Sequence, residues 1–593
     1  MKSILFDQLV PSRLRRGIRS MPSTAFSSFR NTNDDHHNNH TTHDNDSVAH
    51  IIKIVQTRIA YLKQRQQHSP DKMKEEARPL QIVVLGGSVT AGRGCWYGRH
   101  MTNKPCAWPR RFEFLINQLV ATTLLGDNND DNNNIVEVHN IAMGGISSQQ
   151  GNTFVKYWMY PPNSALQKWG PDIIIHSFST NDSLPPWGQT EDLPGKVYRA
   201  ARAGLEQFVR EALQIRSPLE YTTDKCSATT VPPPPPPLVI FVDDYLGHQQ
   251  DSVLGELSYN TAMVQIANWY QTHTMAISYA DVVRDLVYQN TQETTFSAQW
   301  HSVNPRTRQP EFQVEVHFGH YGHMSIAWVL AFGMLELVTQ YCDDAENLPS
   351  QHQNDNQEEG QPLTTTKTTA TTNILPPRLT DSLSLEAISQ EWFTPPPRSN
   401  RGNNNNTTTT LDCSKVNNAR EKSSTTETEQ TQPNANPCIM AWVAGPVGLN
   451  ANGVNQVMRQ HNIQNNGWKV ETDTKDGWKQ KIGWVATKAG ASFVFELPRI
   501  SKDIHVVSLM YMKSYGEKWK DSRAKITIVD ASSSSKTNTT TELEGSHEPQ
   551  VSIAFTEEIH LTQPVLQQSN LQLHVELMGG TTFKILGLMV CAW

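Results

Sequence analysis

A serine that directly follows an apolar run is the first residue in this sequence with the setting of a nucleophile. The run QIVVLGG (81–87) predicts a short buried strand, and GGSVTAG (86–92) places Ser88 after it. Open parallel sheets bind ligands at the carboxyl ends of their strands, and a helix starting there would direct its N-terminus at the serine. The segment lacks the Lys-Ser/Thr pair of a phosphate-binding loop and the GxGxxG of a dinucleotide site. Because position 90 is threonine, it is not the GxSxG turn of α/β-hydrolases either.

Two further motifs at strand ends offer hydrogen-bond donors to a reacting carbonyl. HNIAMGGISS (139–148) leads into a turn at Gly145, whose N–H can approach a substrate closely because the residue has no side chain. FSTNDS (178–183) places Asn181, a side-chain N–H donor, after another strand. Taken singly, each motif is equally typical of an ordinary turn or helix cap.

A loop with three histidines, HFGHYGHMSIAWVL (317–330), precedes an apolar helix. His317, His320 and His323 are spaced by three residues, which would suit a metal site if a carboxylate or a cysteine completed the set. No such residue completes a convincing set, and we therefore expect neither a metal nor a cofactor.

In this order, the four motifs resemble blocks I, II, III and V of the SGNH (GDSL-like) hydrolase family. The second block has Gly145 five residues after Asn140, as in the family, and the third block, STND, has threonine in place of the usual glycine. In the fifth block, His317 is followed by Gly322-His323 at the spacing that the family shows, which singles it out among the three histidines. The resemblance covers about residues 80–340.

The resemblance implies a serine esterase with an α/β/α fold. Ser88 would be the nucleophile and His317 its general base. The N–H groups of Ser88 and Gly145 and the side chain of Asn181 would form the oxyanion hole. The family's fold is a three-layer α/β/α domain with a flavodoxin-like parallel sheet.

The sequence departs from the family at the acid that normally stands three residues before the histidine, a position that Val314 occupies here. Glu315 and Glu311 are the nearest acids. In an extended segment Glu315 points away from the side on which Val314 lies, unless the strand bulges. We favour Glu315 as the third catalytic group, and the alternatives are Glu311, a backbone carbonyl or a Ser–His dyad.

The elements around these motifs alternate between strand and helix, which predicts a parallel sheet covered on both faces. The sequence divides into a disordered N-terminal tail (1–50), a catalytic domain (51–342), a low-complexity linker (343–436) and an all-β sandwich or jelly roll (437–593). The linker is rich in Asn, Thr, Gln and Pro, and the last part alternates apolar and polar residues in short runs. The tail starts with an arginine-rich and serine-rich segment that resembles an organelle transit peptide.

The composition of the chain limits which classes of partner we expect. A net charge of −7 over 593 residues, with no basic stripe, argues against nucleic acid. The longest apolar stretch, 326–338, predicts a buried helix and no transmembrane segment. Seven cysteines without a CxxC motif leave free thiols as one reading and the pairs Cys95–Cys106 and Cys438–Cys591 as another. The sequence assigns the protein to no cellular compartment.

Three functions remain possible from the sequence. The first is an esterase on an ester substrate, with acylated carbohydrate as a candidate because tryptophans of the last domain could stack on sugar rings: Trp442, Trp468, Trp478, Trp484 and Trp519. The competing view is that these tryptophans fill a core. The second function is a non-catalytic binding protein that keeps the fold, and the third is an acyltransferase using the same site.

Overall fold

The computed structural model describes a set of separate segments, which contain all elements named below: 11–22, 47–67, 77–97, 101–102, 104–120, 134–157, 165–183, 193–214, 235–244, 250–283, 317–346, 438–445, 450–472, 482–532, 538–547 and 552–592.

The N-terminal part is an α/β region. Its strands are β1 (Ile18–Ser20), β2 (Leu80–Gly86), the hairpin β3 (Trp96–Tyr97) and β4 (Met101–Thr102), β5 (Val136–Asn140), β6 (Ile173–Ser177), β7 (Leu238–Asp243) and β8 (Thr274–Ser278). Its helices are α1 (Pro11–Leu14), α2 (Ser47–Gln67), α3 (Trp108–Val120), α4 (Ser148–Lys156), α5 (Ala165–Trp169), α6 (Ser179–Asp182), α7 (Leu193–Leu213), α8 (Gln250–Trp269) and α9 (His320–Glu346).

The main sheet has the order β1-β8-β7-β6-β2-β5. The strands β5, β2, β6, β7 and β8 pair in parallel, and β1 pairs with β8 antiparallel. The central strands consist largely of buried Val, Ile and Leu, as expected of strands covered on both faces. The predicted parallel α/β architecture is therefore confirmed.

Alternate residues of each strand enter two different hydrophobic cores. On one face, Val83 and Leu85 of β2 pack with residues of α4, α7 and α8. On the other face, Ile82 and Val84 pack with residues of α2, α3 and α9. This period of two follows from the pleat of the strand and puts helices on both sides of the sheet.

Part of the segment expected to be a disordered tail belongs to the sheet. Residues 11–22 form α1 and β1, and Leu14 and Gly17 are buried against the α/β region. Two ion pairs fix the segment, Arg15 with Glu336 and Arg19 with Asp281. The expectation of disorder over 1–50 is wrong for these residues. Two of the arginines that suggested a targeting signal, Arg15 and Arg19, instead form ion pairs with acids far along the chain. The helix α2 likewise begins inside the proposed tail, at Ser47.

The helix α9 is longer than the apolar stretch 326–338 of the sequence suggested. Its segment Gly322–Asp343 is long and apolar enough to cross a membrane by length and composition, but 61% of the apolar window is buried within the protein. Residues such as Ile326, Val329 and Leu330 pack in the core beneath the sheet. The helix also extends to Glu346, beyond the proposed domain end at 342.

The C-terminal part is an antiparallel β-sandwich, as predicted. One sheet has the order β10-β13-β18-β15-β16 and the other β11-β12-β19-β14-β17, with β9 also paired to β19. The bounds are β9 (Cys438–Val443), β10 (Asn462–Asn466), β11 (Trp468–Thr472), β12 (Ile482–Ala486), β13 (Ser492–Leu497), β14 (Ile504–Lys513), β15 (Arg523–Asp530), β16 (Asn538–Glu544), β17 (Ile553–Val565), β18 (Leu571–Gly579) and β19 (Phe583–Cys591). A helix α10 (Ala451–His461), which the sequence analysis did not foresee, packs on this region.

Tryptophans of the sandwich fill cores and do not form a sugar-stacking surface. Trp442, Trp468 and Trp484 are at most 7% exposed and belong to the core between the two sheets. Trp519, 6% exposed, joins the core that the sandwich shares with the α/β region. The stacking hypothesis is wrong for these four, and Trp478 lies outside the described residues.

Both candidate disulfides are formed, Cys95–Cys106 and Cys438–Cys591. The first disulfide crosslinks the segment that follows Ser88 in the sequence. The second joins the first strand of the sandwich to its last strand. Cys342 is a free, exposed thiol. Cys226 and Cys413 lie outside the described residues, as does the linker from 347 onwards.

Candidate active site

The side chains of Ser88 and His317 meet at the carboxyl edge of the parallel sheet. Ser88 Oγ lies 2.8 Å from His317 Nε2, although 229 positions separate the two residues in sequence. Both side chains are buried, at 1% and 2% exposure. A serine hydroxyl and an imidazole nitrogen at this distance can exchange a proton, which is the first requirement of an activated serine nucleophile.

Ser88 stands at the point where the strand order reverses. The chain passes from β2 to β5 on one side of it, and the later strands β6, β7 and β8 lie on the other side. Such a switch point leaves a crevice between strand ends. The expected helix after Ser88 is not formed: the segment makes a series of turns, in which Ala91 N–H donates to the Gly87 carbonyl at 3.0 Å and Arg93 N–H to the Ser88 carbonyl at 2.9 Å.

The Asn181 side chain lies between the segments that carry Ser88 and Gly145. A Cβ added to Gly87 would stand 2.7 Å from Asn181 Nδ2, so only glycine leaves room for this amide. Asn181 Nδ2 also donates to the carbonyl of Ile146, next to Gly145. A side-chain amide has two N–H donors, and only one of them is used in the bond to the Ile146 carbonyl. The structure thus brings together Ser88, Gly145, Asn181 and His317, as the sequence analysis predicted.

The turn at Gly145 needs glycine and leads directly into α4. Gly145 has a φ of +80°, a conformation that other residues rarely adopt. The helix begins with a capping box in which the Gln150 side chain accepts from the N–H and the hydroxyl of Ser147, at 2.9 and 2.8 Å. The cap fixes the direction in which the chain leaves the turn.

A buried acid, Asp182, ties the Asn181 segment to the start of α4. One carboxylate oxygen accepts from Ser148 N–H at 3.2 Å, and the other accepts from the Ser148 hydroxyl. The same hydroxyl lies 2.7 Å from His176 Nε2. Burial raises the pKa of Asp182 from 3.8 to about 7, against the lowering effect of the bonds from Ser148. Burial likewise lowers the pKa of His176 to about 3, so the imidazole is neutral.

A second buried acid, Asp244, follows β7 and collects hydroxyl donors. Ser177 and Ser179 donate to it at 2.8 and 2.9 Å, and Thr180 at 3.2 Å. Thr90, two residues after Ser88, donates at 3.4 Å. Burial raises the pKa of Asp244 to about 6, although the serine hydroxyls lower it.

Sequence reasoning missed Asp244 and Ser148; it named Asp182 as a possible acceptor for nearby backbone amides but did not identify its partner. An acid directly after a buried parallel strand, as in LVIFVDDY (238–245), was the available signal for Asp244. Nothing in the sequence paired Asp182 with Ser148, since 34 residues separate them.

The other two histidines, His320 and His323, lie in the first turn of α9 and not in the loop expected from the sequence. His323 is fully buried, and its Nδ1 accepts from Trp108 N–H at 3.3 Å. Burial, with the charge of Arg111 nearby, lowers the pKa of His320 to about 4 and that of His323 to about 3. Within the described segments, no cluster of three His, Cys, Asp or Glu side chains could hold a metal ion.

The residues considered for the third catalytic group come shortly before His317 in the sequence. Val314, Glu315 and Glu311 lie outside the described residues, which resume at His317. Glu315 as the partner of the His317 imidazole stays a prediction.

Comparisons with known proteins give distant likenesses only. No family model and no curated protein matches the sequence. A family 35 carbohydrate-binding module from Cellvibrio japonicus is 15% identical, with 22% of this chain and 85% of that chain covered and a TM-score of 0.16. A module of a Cellvibrio mixtus lichenase, in complex with cellotriose, is 13% identical over 26% of this chain and 97% of that chain, with a TM-score of 0.16. A Podospora anserina mannanase is 9% identical over 22% of this chain and 25% of that chain, with a TM-score of 0.15. The strand order and register of the C-terminal part define its antiparallel sandwich.

Proposed function

We propose that the protein is a serine esterase of the SGNH type that hydrolyses carboxylic esters. The observation that carries the proposal is the contact of 2.8 Å between Ser88 Oγ and His317 Nε2 at the switch point of a parallel sheet. The strand order supports it. Numbered along the chain, the parallel strands follow the order second, first, third, fourth, fifth, which is that of flavodoxin-like folds.

The mechanism follows from the roles of these groups. His317 Nε2 takes the hydroxyl proton of Ser88 as the serine oxygen attacks the ester carbonyl. The N–H groups of Ser88 and Gly145 and the Asn181 amide stabilise the oxyanion, each donor being worth about 10²–10³ in rate. The carbon–oxygen bond to the alcohol then breaks, and the alcohol leaves with the proton from His317. Water, deprotonated by the same imidazole, hydrolyses the acyl-enzyme.

The imidazole needs a partner on its other nitrogen, which supports the positive charge that develops during attack. We propose Glu315 for this role because it is the nearest acid in sequence. Glu315→Gln should slow acyl transfer steeply and leave the fold intact, whereas Glu311→Gln should do little.

The esterase proposal is tested with aryl acetates and with a fluorophosphonate probe. The purified protein should hydrolyse the ester, and the probe should label Ser88, as located by mass spectrometry. Ser88→Ala and His317→Ala should abolish both reactions. His320→Ala is the matched control and should retain both, because its imidazole lies only three residues from His317, at the start of α9, and has no role in the proton transfer.

Two other outcomes are informative. A folded protein that neither turns over acyl esters nor reacts with the probe would refute the esterase proposal and favour a non-catalytic binding protein. Labelling with transfer of the acyl group to a sugar acceptor, detected by product analysis, would instead identify an acyltransferase.

We propose acylated carbohydrate as the substrate class, on a separate observation. A groove of about 590 Å³ lies on the β10-β13-β18-β15 sheet of the sandwich. Amide, hydroxyl, imidazole and carboxylate groups line it, all able to bond sugar hydroxyls: Gln464, Ser492, Thr527, Gln572, His574 and Glu576. Calorimetric titration of Ser88→Ala with acetylated oligosaccharides should show binding that Gln572→Ala weakens, and no binding of any oligosaccharide would refute this part.

A further inference from the structure

The helix α4 connects the candidate oxyanion hole to the β-sandwich. Its first residue, Ser148, is held by the buried carboxylate of Asp182, whose neighbour Asn181 bonds the Ile146 carbonyl. The helix is nine residues long and runs without interruption from the turn to the residue before Tyr157.

The C-terminal end of α4 is fastened to two strands of the sandwich, β14 and β17. The hydroxyl of Tyr157 donates to Glu558 Oε1 at 2.8 Å and lies 2.5 Å from Ser508 Oγ. Lys156 Nζ forms an ion pair with the same oxygen of Glu558 at 2.8 Å. Tyr157 and Ser508 are buried, so this polar cluster is largely shielded from water. Hydrogen bonds to a charged group are roughly twice as strong as neutral ones, which suits the cluster to hold the helix end.

Apolar packing surrounds the polar cluster. Phe154 and Val155 of α4 belong to the same core as Met510, Met512 and Ala554 of the sandwich. This core also contains Leu85, three residues before Ser88.

The segment that leads into the oxyanion turn also lies close to the sandwich. Met143, two residues before Gly145, packs against this core, and a Cβ on Gly445 would lie 3.8 Å from its Cε. The segment that leads into the turn therefore lies close to the sandwich, in addition to the connection through α4.

We propose that the β-sandwich positions the oxyanion-binding groups through α4, with Tyr157 and Glu558 as positioning residues. The inference rests on the proposed esterase function for its catalytic consequence. A displacement of about 1 Å at a reacting group can cost about 10² in rate, so a helix that is loosely held should lower the rate of chemistry more than substrate binding.

The test compares Glu558→Ala and Tyr157→Phe with Glu336→Ala. Glu336 is the matched control, since its side chain is 30% exposed against 32% for Glu558 and it pairs with Arg15 away from the site. Three quantities are measured for each protein: the melting temperature, the hydrogen exchange of amides 144–148, and kcat and KM on an aryl acetate.

In Glu558→Ala and Tyr157→Phe we expect exchange at 144–148 to rise about tenfold, kcat to fall about tenfold and KM to change less than about twofold. In Glu336→Ala, exchange at these amides and kcat should stay unchanged whatever the shift in melting temperature. Unchanged exchange at 144–148 in both interface variants would overturn the proposal, and so would raised exchange with unchanged kcat. If the wild type hydrolyses no ester, the esterase function fails, and the exchange measurement still decides whether the sandwich holds the turn.

Discussion

Replacing Asp244 with asparagine should change how the stability of the sheet depends on pH. Burial raises the pKa of the Asp244 carboxyl from 3.8 to about 6 against the lowering effect of Ser177 and Ser179. Between about pH 4 and pH 6 the folded protein therefore keeps a proton that the unfolded chain has released. The stability that the neutral carboxyl contributes is fully present below the pKa that this group has in the unfolded chain. It is lost as pH rises through the pKa that the group has in the folded protein.

The size of the effect follows from the shift. One pKa unit corresponds to about 1.4 kcal/mol, so ionisation of Asp244 costs the folded state about 3 kcal/mol, or about a hundredfold in an opening equilibrium. Asparagine keeps the shape and one acceptor oxygen but cannot ionise. The wild type should therefore lose about this much stability relative to Asp244→Asn between pH 4 and pH 7.

Hydrogen exchange of the β7 amides measures this difference. Both proteins are compared at the same pH, so that the intrinsic exchange rate cancels, and the ratio of wild-type to variant rates should rise about a hundredfold from pH 4 to pH 7. A ratio that stays constant would refute the reasoning, because it would mean that the carboxyl has the same pKa folded and unfolded.

Asp172 provides a control of opposite sign. Burial alone would raise its pKa, but bonds from Arg78, at 2.6 and 2.7 Å, together with further partners hold the pKa below 3.8. Its carboxylate contributes stability above the unfolded pKa that is lost as pH falls. For Asp172→Asn, the ratio of wild-type to variant exchange rates should fall as pH rises.

Other changes test the site, the crosslink and the packing. Asn181→Ala should lower kcat on aryl acetates by about 10²–10³, and an unchanged kcat in a folded variant would remove this residue from the oxyanion hole. Serine at both Cys438 and Cys591 opens a loop with a sequence separation of 153, which should cost the sandwich about 5 kcal/mol, seen as a lower melting temperature. Gly255→Ala places a methyl group against the carbonyl of Ser183 and should destabilise the α/β region by about 1–3 kcal/mol in a denaturation experiment.

Matched control variants separate the proposed cause of each loss of stability from a nonspecific effect of substitution. Opening Cys95–Cys106, with a separation of 11, should cost only about 3 kcal/mol, and equal losses for the two disulfides would contradict the loop-entropy argument. Gly204→Ala, also in a helix, meets its nearest atom at 3.4 Å and should be neutral or stabilising. A similar loss there would mean that crowding at Ser183 is not the cause.

Much of the fold could be predicted because periodicity is local. The buried strands such as QIVVLGG and LVIFVDDY, and the alternating runs of the sandwich, carry their pattern within a few residues. The meeting of Ser88 with His317 was also expected, because the four motifs together resemble the SGNH family and the spacing of His317 to Gly322-His323 singled out this histidine.

The features that the sequence did not reveal depend on contacts between residues that are far apart in the sequence. The strand Ile18–Ser20 is three residues long and polar, and only its pairing with β8 makes it a strand. Asp182 and Asp244 accept hydrogen bonds from hydroxyl groups that are distant in sequence, such as those of Ser148 and Ser177. The contact of Tyr157 with Glu558 joins residues 401 positions apart, and no local pattern in either segment indicates it.

The position of β1 also affects how the molecule meets its own copies. A sheet edge presents unpaired N–H and C=O groups on which a strand from another chain can add, and long apolar edges promote aggregation. β8, TMAIS, is buried along its whole length, and β1 occupies the edge beside it. Arg19, the middle residue of β1, and Arg15, which precedes the strand, are paired with acids of the same chain. A chain that loses residues 11–22 would expose an apolar template for cross-chain pairing, so that the short segment protects solubility as well as completing the sheet.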